Sequence, residues 1–123
     1  MATARRSTAK KPVETPEPAA PVDVTTRDAD GRTPLHWAAF YGYTTTVRTM
    51  LQQQADVNAR DNQQRTPGHW ASFKGYMAIV KMLVAAGADV NARDEAGRTM
   101  VAMAQIGRQT EVETYLRENG GEK

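Results

Sequence analysis

The sequence predicts an all-α repeat fold, an α-solenoid of stacked helix-turn-helix units, and three observations support this prediction. A seven-residue segment that begins with Arg-Asp and ends with Arg-Thr occurs three times. Its threonine lies at positions 33, 66 and 99, so the copies are 33 residues apart (66 − 33 and 99 − 66). Residues 28–60 and 61–93 agree at about half of their positions at that offset. Each unit also carries the signals of two short helices separated by a glycine. A period of this length is typical of stacked repeat arrays, most of which bind other macromolecules.

The first helix has a recognisable start and end in the first two units. A Thr-Pro pair provides a hydroxyl that can cap free backbone N–H groups, and its proline takes the first helical position, where no N–H is needed. The glycine that follows tolerates the left-handed backbone conformation in which many helices end. The predicted helices cover residues 34–41 and 67–74, between the pairs Thr33-Pro34 and Thr66-Pro67 and the glycines Gly42 and Gly75.

The second helix is predicted from its apolar residues. They recur at intervals of three and four, which place them on one face of a helix. They are Val47, Met50 and Leu51 in the first unit and Ile79, Val80, Leu83 and Val84 in the middle unit. The predicted helices cover residues 45–53 and 78–86, and residues 56–65 and 89–98 are predicted to form extended connections centred on turns.

Two stretches of the chain carry the same motif. They are Gly31-Arg32-Thr33-Pro34-Leu35-His36-Trp37-Ala38-Ala39, with Gly42 and Ala55-Asp56-Val57-Asn58-Ala59 after it, and Thr66-Pro67-Gly68-His69-Trp70-Ala71, with Gly87-Ala88-Asp89-Val90-Asn91-Ala92 after it. This motif resembles the ankyrin repeat over about residues 22–120. The resemblance implies pairs of antiparallel helices joined by protruding β-hairpin loops and stacked into an L-shaped solenoid. It also implies a protein that binds other proteins through a concave face, formed by the hairpin tips and the exposed ends of the first helices.

The chain divides into a tail and a repeat domain. Residues 1–21 are basic and proline-rich, and we expect them to be disordered because they have too little bulky apolar surface to offset the entropy of ordering. We expect an ankyrin-repeat domain over residues 22–123, with repeats at about 28–60, 61–93 and 94–120. The tail holds four Lys and Arg against two glutamates, which leaves 12 basic and 12 acidic residues elsewhere (16 − 4 and 14 − 2). The net charge of +2 therefore belongs to the tail.

Two places depart from the repeat motif. Gly68 stands where the first unit has a leucine, and we expect either a gap that Trp37 or Trp70 fills or a weak middle repeat. In the last unit Met100 replaces the proline, and the glycine after the first helix comes one place early, as Gly107. The resemblance therefore leaves the turn geometry of the last unit open.

The second helices change from apolar to polar on one side at each end of the array. The first repeat has Thr46 and Thr49 where the middle repeat has isoleucine and methionine. The last repeat has Glu113 and Arg117 where the middle repeat has valines. Because a terminal repeat lacks a neighbour on one side, we expect these side chains to be the exposed caps of a complete, small array.

The sequence contains no recognisable arrangement of residues for catalysis or metal binding. His36 and His69 are the only histidines, the chain has no cysteine, and no nucleophile–base or zinc-ligand spacing is present. The resemblance implies that both histidines make hydrogen bonds between neighbouring repeats. We therefore expect a protein that is not an enzyme and needs no cofactor. We also interpret Trp37 and Trp70 as core residues of the first helices.

The candidate binding residues lie at positions that the family leaves variable. Stacking is expected to align a row of apolar side chains with a row of arginines, and aromatic residues and arginine are often interface hot spots. The candidates are Phe40, Tyr41, Phe73, Lys74 and Ile106 on the first helices, and Arg32, Arg65 and Arg98 beside the hairpin tips. Two simpler interpretations stay open, in which the phenylalanines are buried under neighbouring tyrosines (Tyr43 and Tyr76) or the arginines pair with neighbouring aspartates (Asp28, Asp61 and Asp94).

These residues predict a small adaptor or a regulatory, inhibitory protein that binds a partner protein with an apolar ridge flanked by acidic groups. The alternative is a scaffold whose basic tail binds nucleic acid or an acidic surface. Nucleic acid is not the expected partner, because four basic residues predict only weak, salt-sensitive binding. We expect a monomer. We also expect no membrane partner, because no apolar run approaches the roughly 20 residues that span a bilayer. A cytoplasmic location is expected, or a nuclear one in a eukaryote.

Overall fold

The computed structural model describes residues 23–121, and its helices follow the period of the sequence. Six α-helices lie in this part of the chain: α1 Pro34–Tyr41, α2 Thr44–Gln52, α3 Pro67–Lys74, α4 Met77–Ala85, α5 Met100–Ile106 and α6 Thr110–Glu118. They pair as α1–α2, α3–α4 and α5–α6, with one pair in each repeat, which confirms the all-α repeat fold. The tail predicted over residues 1–21 lies outside the described residues.

The helices form two layers. The first helices α1, α3 and α5 contact one another in sequence, and the second helices α2, α4 and α6 do the same. Small buried side chains on the first helices, Ala38, Ala39, Ala71 and Ala104, allow these helices to approach one another closely. Larger buried side chains from both layers complete one continuous core, and they include Leu35, Val47, Ile79, Leu83, Val101 and Leu116.

α1 and α3 begin and end where the sequence predicts. The hydroxyls of Thr33 and Thr66 each accept a hydrogen bond from the backbone N–H of the histidine three residues later. The same histidine accepts one from the threonine N–H through Nδ1, which completes a capping box. Gly42 and Gly75 end the helices with φ angles of 78° and 80°. α2 and α4 begin and end one residue before their predicted bounds, a difference that is common at helix ends.

The turn between α5 and α6 places its glycine differently from the earlier turns. Arg108, with a φ of 59°, takes the left-handed position that Gly42 and Gly75 occupy in the other repeats. Gly107 has a φ of −81°, which any residue can adopt. A Cβ atom on Gly107 would overlap the carbonyl oxygen of Phe73 in α3. Position 107 therefore has no room for a side chain, whereas position 108 holds an arginine in spite of its backbone conformation.

The connections between repeats are tight hairpins, and residues 23–121 contain no β-strand. In the connection before α3, the Asp61 N–H donates to the Arg65 carbonyl at 3.0 Å. Neighbouring tips are joined by backbone bonds, such as that from the Asn62 N–H to the Asp30 carbonyl at 2.9 Å. These bonds are too few to form a strand ladder, so the hairpins implied by the resemblance are present as turns.

The space beside Gly68 is filled from the next repeat. A Cβ atom on Gly68 would lie 2.7 Å from Cε and 2.8 Å from Sδ of Met100, which is fully buried. The expectation that Trp37 or Trp70 fills this gap is wrong, because the side chain at the start of α5 occupies it.

The predicted caps of the array are exposed unevenly. Thr49 and Arg117 are exposed, and Arg117 pairs with the half-buried Glu113 at 3.1 Å. Thr46 is buried, so the prediction is wrong at that position. Val24, which precedes the first repeat, packs against the core. Residues before the first repeat therefore cover part of this end of the array.

Candidate functional site

Two buried histidines connect neighbouring repeats. His36 Nε2 lies 2.8 Å from the carbonyl oxygen of Arg65, and His69 Nε2 lies 2.8 Å from that of Arg98. Because Nδ1 of each ring accepts a hydrogen bond from a threonine N–H, the proton lies on Nε2, which donates to the carbonyl. Burial lowers the pKa of both histidines, which keeps the rings neutral. Both ring nitrogens of each histidine therefore make hydrogen bonds that stabilise the fold.

The three candidate arginines are held by buried aspartates of the hairpins. Arg32 Nε lies 3.5 Å from Asp61 Oδ2, and Arg65 Nε lies 3.5 Å from Asp94 Oδ2. Arg98 also pairs with Asp94, at 3.1 Å. The structure therefore has the pairing with aspartate that the sequence left open, but Arg32 and Arg65 pair with the aspartate of the following repeat.

The aspartate shared by the last two repeats stays ionised. Burial alone would raise the pKa of the Asp94 carboxyl, but hydrogen bonds from the backbone N–H and the side chain of Arg98 outweigh it and lower that pKa. The Asp94 carboxylate can therefore hold both Arg65 and Arg98 at neutral pH.

Exposure is uneven within these ion pairs. The side chains of Arg32, Arg65 and Arg98 are 21%, 17% and 36% exposed, whereas those of Asp61 and Asp94 are 1% and 0% exposed. Each carboxylate thus lies beneath the guanidinium that it binds. The surface above Asp94 presents positive charge, because this one carboxylate pairs with two arginines. Arg32 instead lies near two carboxylates, the buried Asp61 and the exposed Asp30 at 3.7 Å.

A cluster of aromatic rings covers α1 and reaches α3. Trp37 stacks with Tyr41 at 5.8 Å, and Tyr41 stacks with Tyr43 at 5.5 Å between ring centroids. Phe40 meets Trp37 and Trp70 edge-to-face at 5.8 Å and 5.3 Å. The cluster therefore joins the first repeat to the second through the contact of Phe40 with Trp70.

Trp37 and Trp70 lie at the surface of the repeats, and the interpretation of both as core residues is wrong. Both side chains are half-buried. The guanidinium carbon of Arg32 lies 5.2 Å from the ring centroid of Trp37 and 5.4 Å from that of Trp70. The guanidinium carbon of Arg65 lies 5.0 Å from the Trp70 ring. The sequence held a signal for this arrangement, because each tryptophan precedes a candidate phenylalanine by three residues and so shares its helix face.

A surface cavity of about 140 Å³ lies between the first two repeats. We call it the indole cavity, and it is lined by Arg32, His36, Trp37, Phe40 and Trp70. Lys74 Nζ lies 4.8 Å from the centroid of the Phe40 ring, so a third cation stands beside this cavity. Of the predicted binding residues, the structure thus brings together Arg32, Tyr41, Phe40, Arg65 and Lys74.

The other candidates lie away from the indole cavity. Phe73 is half-buried, and its carbonyl oxygen faces the turn after α5. Ile106 is 52% exposed, and Arg98 lies on the last repeat. The expected row of apolar side chains is therefore uneven, with most of its aromatic surface at the junction of α1 and α3.

The described residues hold neither a metal cluster nor a membrane span. Within residues 23–121, no group of three or more His, Cys, Asp or Glu side chains is arranged to hold a metal ion. None of the helices in that range is long and apolar enough to cross a lipid bilayer.

The family model described as Ankyrin repeats (3 copies) matches residues 14–94. The chain belongs to the ankyrin-repeat family. No curated protein matches the sequence. Ankyrin repeats are protein–protein interaction modules built on a fold without a catalytic site of its own. In this ankyrin-repeat protein α5 and α6 lie beyond the matched residues, and they stack on α3 and α4 as a further repeat.

Proposed function

We propose that this ankyrin-repeat protein is a small adaptor or inhibitory protein that binds a partner through its concave face. The partner surface would have an apolar ridge flanked by carboxylates. One observation carries the proposal, namely that partly exposed guanidinium groups lie above buried carboxylates next to the aromatic indole cavity. A cytoplasmic location fits this role and the absence of cysteine.

Arg65 is prepared for a second carboxylate. Among residues 23–121, the guanidinium of Arg65 contacts Asp94 through Nε and lies over the ring of Trp70. An arginine that is fixed at Nε keeps its terminal nitrogens for a bidentate contact with a carboxylate. Because Asp94 already orders the side chain, less conformational entropy is lost when a partner binds.

The aromatic rings provide the apolar part of the surface. Tryptophan and arginine dominate interface hot spots when they surround a pocket that a partner can fill. The indole cavity is lined by two tryptophans and Phe40 together with Arg32 and His36. These residue types support an apolar contact surrounded by positive charge.

The test compares charge reversals on opposite layers of the array. Lys74→Glu changes the concave face beside Phe40, whereas Arg48→Glu makes the same change on the exposed side of α2. Each variant, the unchanged chain and a chain without residues 1–21 is used to capture proteins from a lysate of the source cells. A protein lost with Lys74→Glu but retained by Arg48→Glu and by the truncated chain would support the proposal. Loss on truncation alone would assign binding to the tail.

A further inference from the structure

The indole cavity has the size of one large side chain. Its volume is about 140 Å³, and an apolar cavity of about 150 Å³ is large enough to bind benzene. Its lining is mostly aromatic, with the indoles of Trp37 and Trp70 and the ring of Phe40, and Arg32 and His36 complete it. The cavity can therefore receive an aromatic ring or a branched aliphatic side chain of a partner, and rings favour the edge-to-face contacts that these walls offer.

The charges around the indole cavity select against a cationic occupant. Arg32, Arg65 and Lys74 already lie over the aromatic rings, at 4.8 to 5.4 Å from the ring centroids. A lysine or arginine of a partner would meet like charge beside rings that already carry a cation, whereas an uncharged ring would not meet this repulsion. Asp61 and Asp94, which pair with Arg32 and Arg65, are buried and cannot reach a partner. Arg32 also lies 3.7 Å from the exposed carboxylate of Asp30, so Arg65 and Lys74 are the cations better placed to receive a carboxylate of a partner.

The last repeat does not offer a second pair of indoles. The position of Trp37 and Trp70 is held there by Met103, which is buried, and the position of Phe40 is held by Ile106. The last repeat does continue the positive charge through Arg98. A partner segment would therefore place one apolar anchor at the junction of α1 and α3, with acidic residues on both sides of it.

We propose that the indole cavity binds one aromatic side chain of a partner protein, within a segment whose glutamates or aspartates contact Arg65 and Lys74. This inference rests on the proposed function and narrows it to one class of partner segment, an acidic peptide with a single aromatic anchor. The contacts that carry it are the ring walls of the cavity and the three cations that surround them.

Intrinsic fluorescence can measure occupancy of the cavity directly. Trp37 and Trp70 are the only tryptophans of the chain, and both line the indole cavity. Three blocked peptides of equal length serve as probes: phenylalanine flanked by glutamates, alanine flanked by glutamates, and phenylalanine flanked by lysines. The full chain is titrated with each peptide, and emission of the tryptophans is recorded.

The acidic phenylalanine peptide is expected to change the tryptophan emission and to bind at least about tenfold more tightly than the alanine peptide, since burial of one ring corresponds to about a tenfold change or more. It should also bind more tightly than the lysine peptide, because the lysines would face the cations beside the cavity. Lys74→Glu should weaken its binding by about tenfold, whereas Arg48→Glu should leave the affinity unchanged. Circular dichroism of each variant checks that the helices remain folded.

Three outcomes would overturn the inference. They are equal binding of the lysine peptide, equal binding of the alanine peptide, and failure of the acidic phenylalanine peptide to change the emission at any soluble concentration. If the peptide fails while Lys74→Glu still abolishes capture of a cellular protein, the concave face remains the binding surface and only the choice of anchor is wrong. If neither the peptide nor the capture depends on Lys74, the proposed function is wrong as well.

Discussion

The side chain of Met100 occupies the space that the absent side chain of Gly68 leaves in α3. Met100 Sδ would lie 2.8 Å from a Cβ atom at position 68, and both residues are buried. Each of these residues departs from the motif of the first repeat, which has leucine and proline at the corresponding positions. The two departures therefore compensate each other across the junction of the second and third repeats.

Gly68 and Met100 are predicted to be energetically coupled. Gly68→Leu should lower the free energy of unfolding by about 1–3 kcal/mol, because it overpacks a filled site. Met100→Pro should lower it by about 2–5 kcal/mol, because it removes the buried side chain. The double variant should be more stable than the sum predicts by about 0.5–3 kcal/mol, as expected for residues in contact.

Urea denaturation of the four proteins in this cycle measures the coupling energy. Proline is compatible with the start of α5, because Thr99 before it is extended, with φ of −94° and ψ of 177°. Gly68→Leu paired with a distant surface change, Arg48→Ala, should show additive effects. Additivity of Gly68→Leu and Met100→Pro would mean that the two side chains do not compete for the same space.

The sequence predicts structural features that depend on neighbouring residues in the chain, such as helix ends. It predicts fewer of the contacts that form when the repeats stack. The capping threonines and the glycines after the first helices act within one turn, so the bounds of α1 and α3 could be read directly. The residue that fills the space beside Gly68 could not be predicted in this way, because Met100 belongs to the following repeat. The helix position of the two tryptophans favours a core location, because it does not reveal the arginines that lie over them.

The ion pairs between repeats follow an offset that the period itself contains. Stacking brings a residue close to the one 29 positions later, as in the hydrogen bond from His36 to the Arg65 carbonyl. Arg32 and Asp61 have the same separation (61 − 32 = 29). The offset of 29 residues, and not the nearest aspartate in sequence, therefore identifies the partners of Arg32 and Arg65.

Stability should fall as the pH drops below the ordinary pKa of histidine. Burial lowers the pKa of His36 and His69 in the folded chain below the unfolded value of 6.5. Above that value both states are neutral, and below it the unfolded chain takes up protons that the folded chain does not. The free energy of unfolding should therefore fall by up to about 1.4 kcal/mol per pH unit for each histidine.

Urea denaturation between about pH 8 and about pH 5 tests this dependence. A His69→Gln variant should lose about half of the slope, whatever its stability at neutral pH, because one of the two titrating groups is gone. Asp94 acts in a separate window, since its pKa is lowered from 3.8 and its contribution is lost only in more acidic solution. An unchanged slope in His69→Gln would show that another group titrates.

Opposite effects are predicted at two neighbouring positions of the last turn. Gly107→Ala should lower the free energy of unfolding by about 1–3 kcal/mol, because its Cβ atom would overlap the Phe73 carbonyl oxygen. Arg108→Gly should raise it by about 0.5 kcal/mol, because relief of a left-handed non-glycine residue outweighs the added entropy of the unfolded chain. Thermal denaturation by circular dichroism measures both. A stabilising Gly107→Ala would mean that α5 can move away from α3.

Arg32 and Arg65 are predicted to differ in their importance for stability, although they occupy the same position in their repeats. Among residues 23–121, Asp61 has Arg32 as its ion-pair partner, whereas Asp94 has both Arg65 and Arg98. Arg32→Gln therefore leaves a carboxylate that is 1% exposed without a cation and should cost about 2–3 kcal/mol. Arg65→Gln leaves Asp94 paired with Arg98 and should cost about 1 kcal/mol.

Urea denaturation of both glutamine variants, with Arg98→Gln as a third, measures this difference. Arg98→Gln should resemble Arg65→Gln, because Asp94 keeps one cation in either variant. Arg65→Glu should be worse than all three, because it adds a second carboxylate beside the buried Asp94. Loss of partner binding in Arg65→Glu would therefore not distinguish a lost contact from a damaged fold, whereas Lys74→Glu leaves these ion pairs intact. Equal costs for Arg32→Gln and Arg65→Gln would mean that the second cation on Asp94 does not contribute.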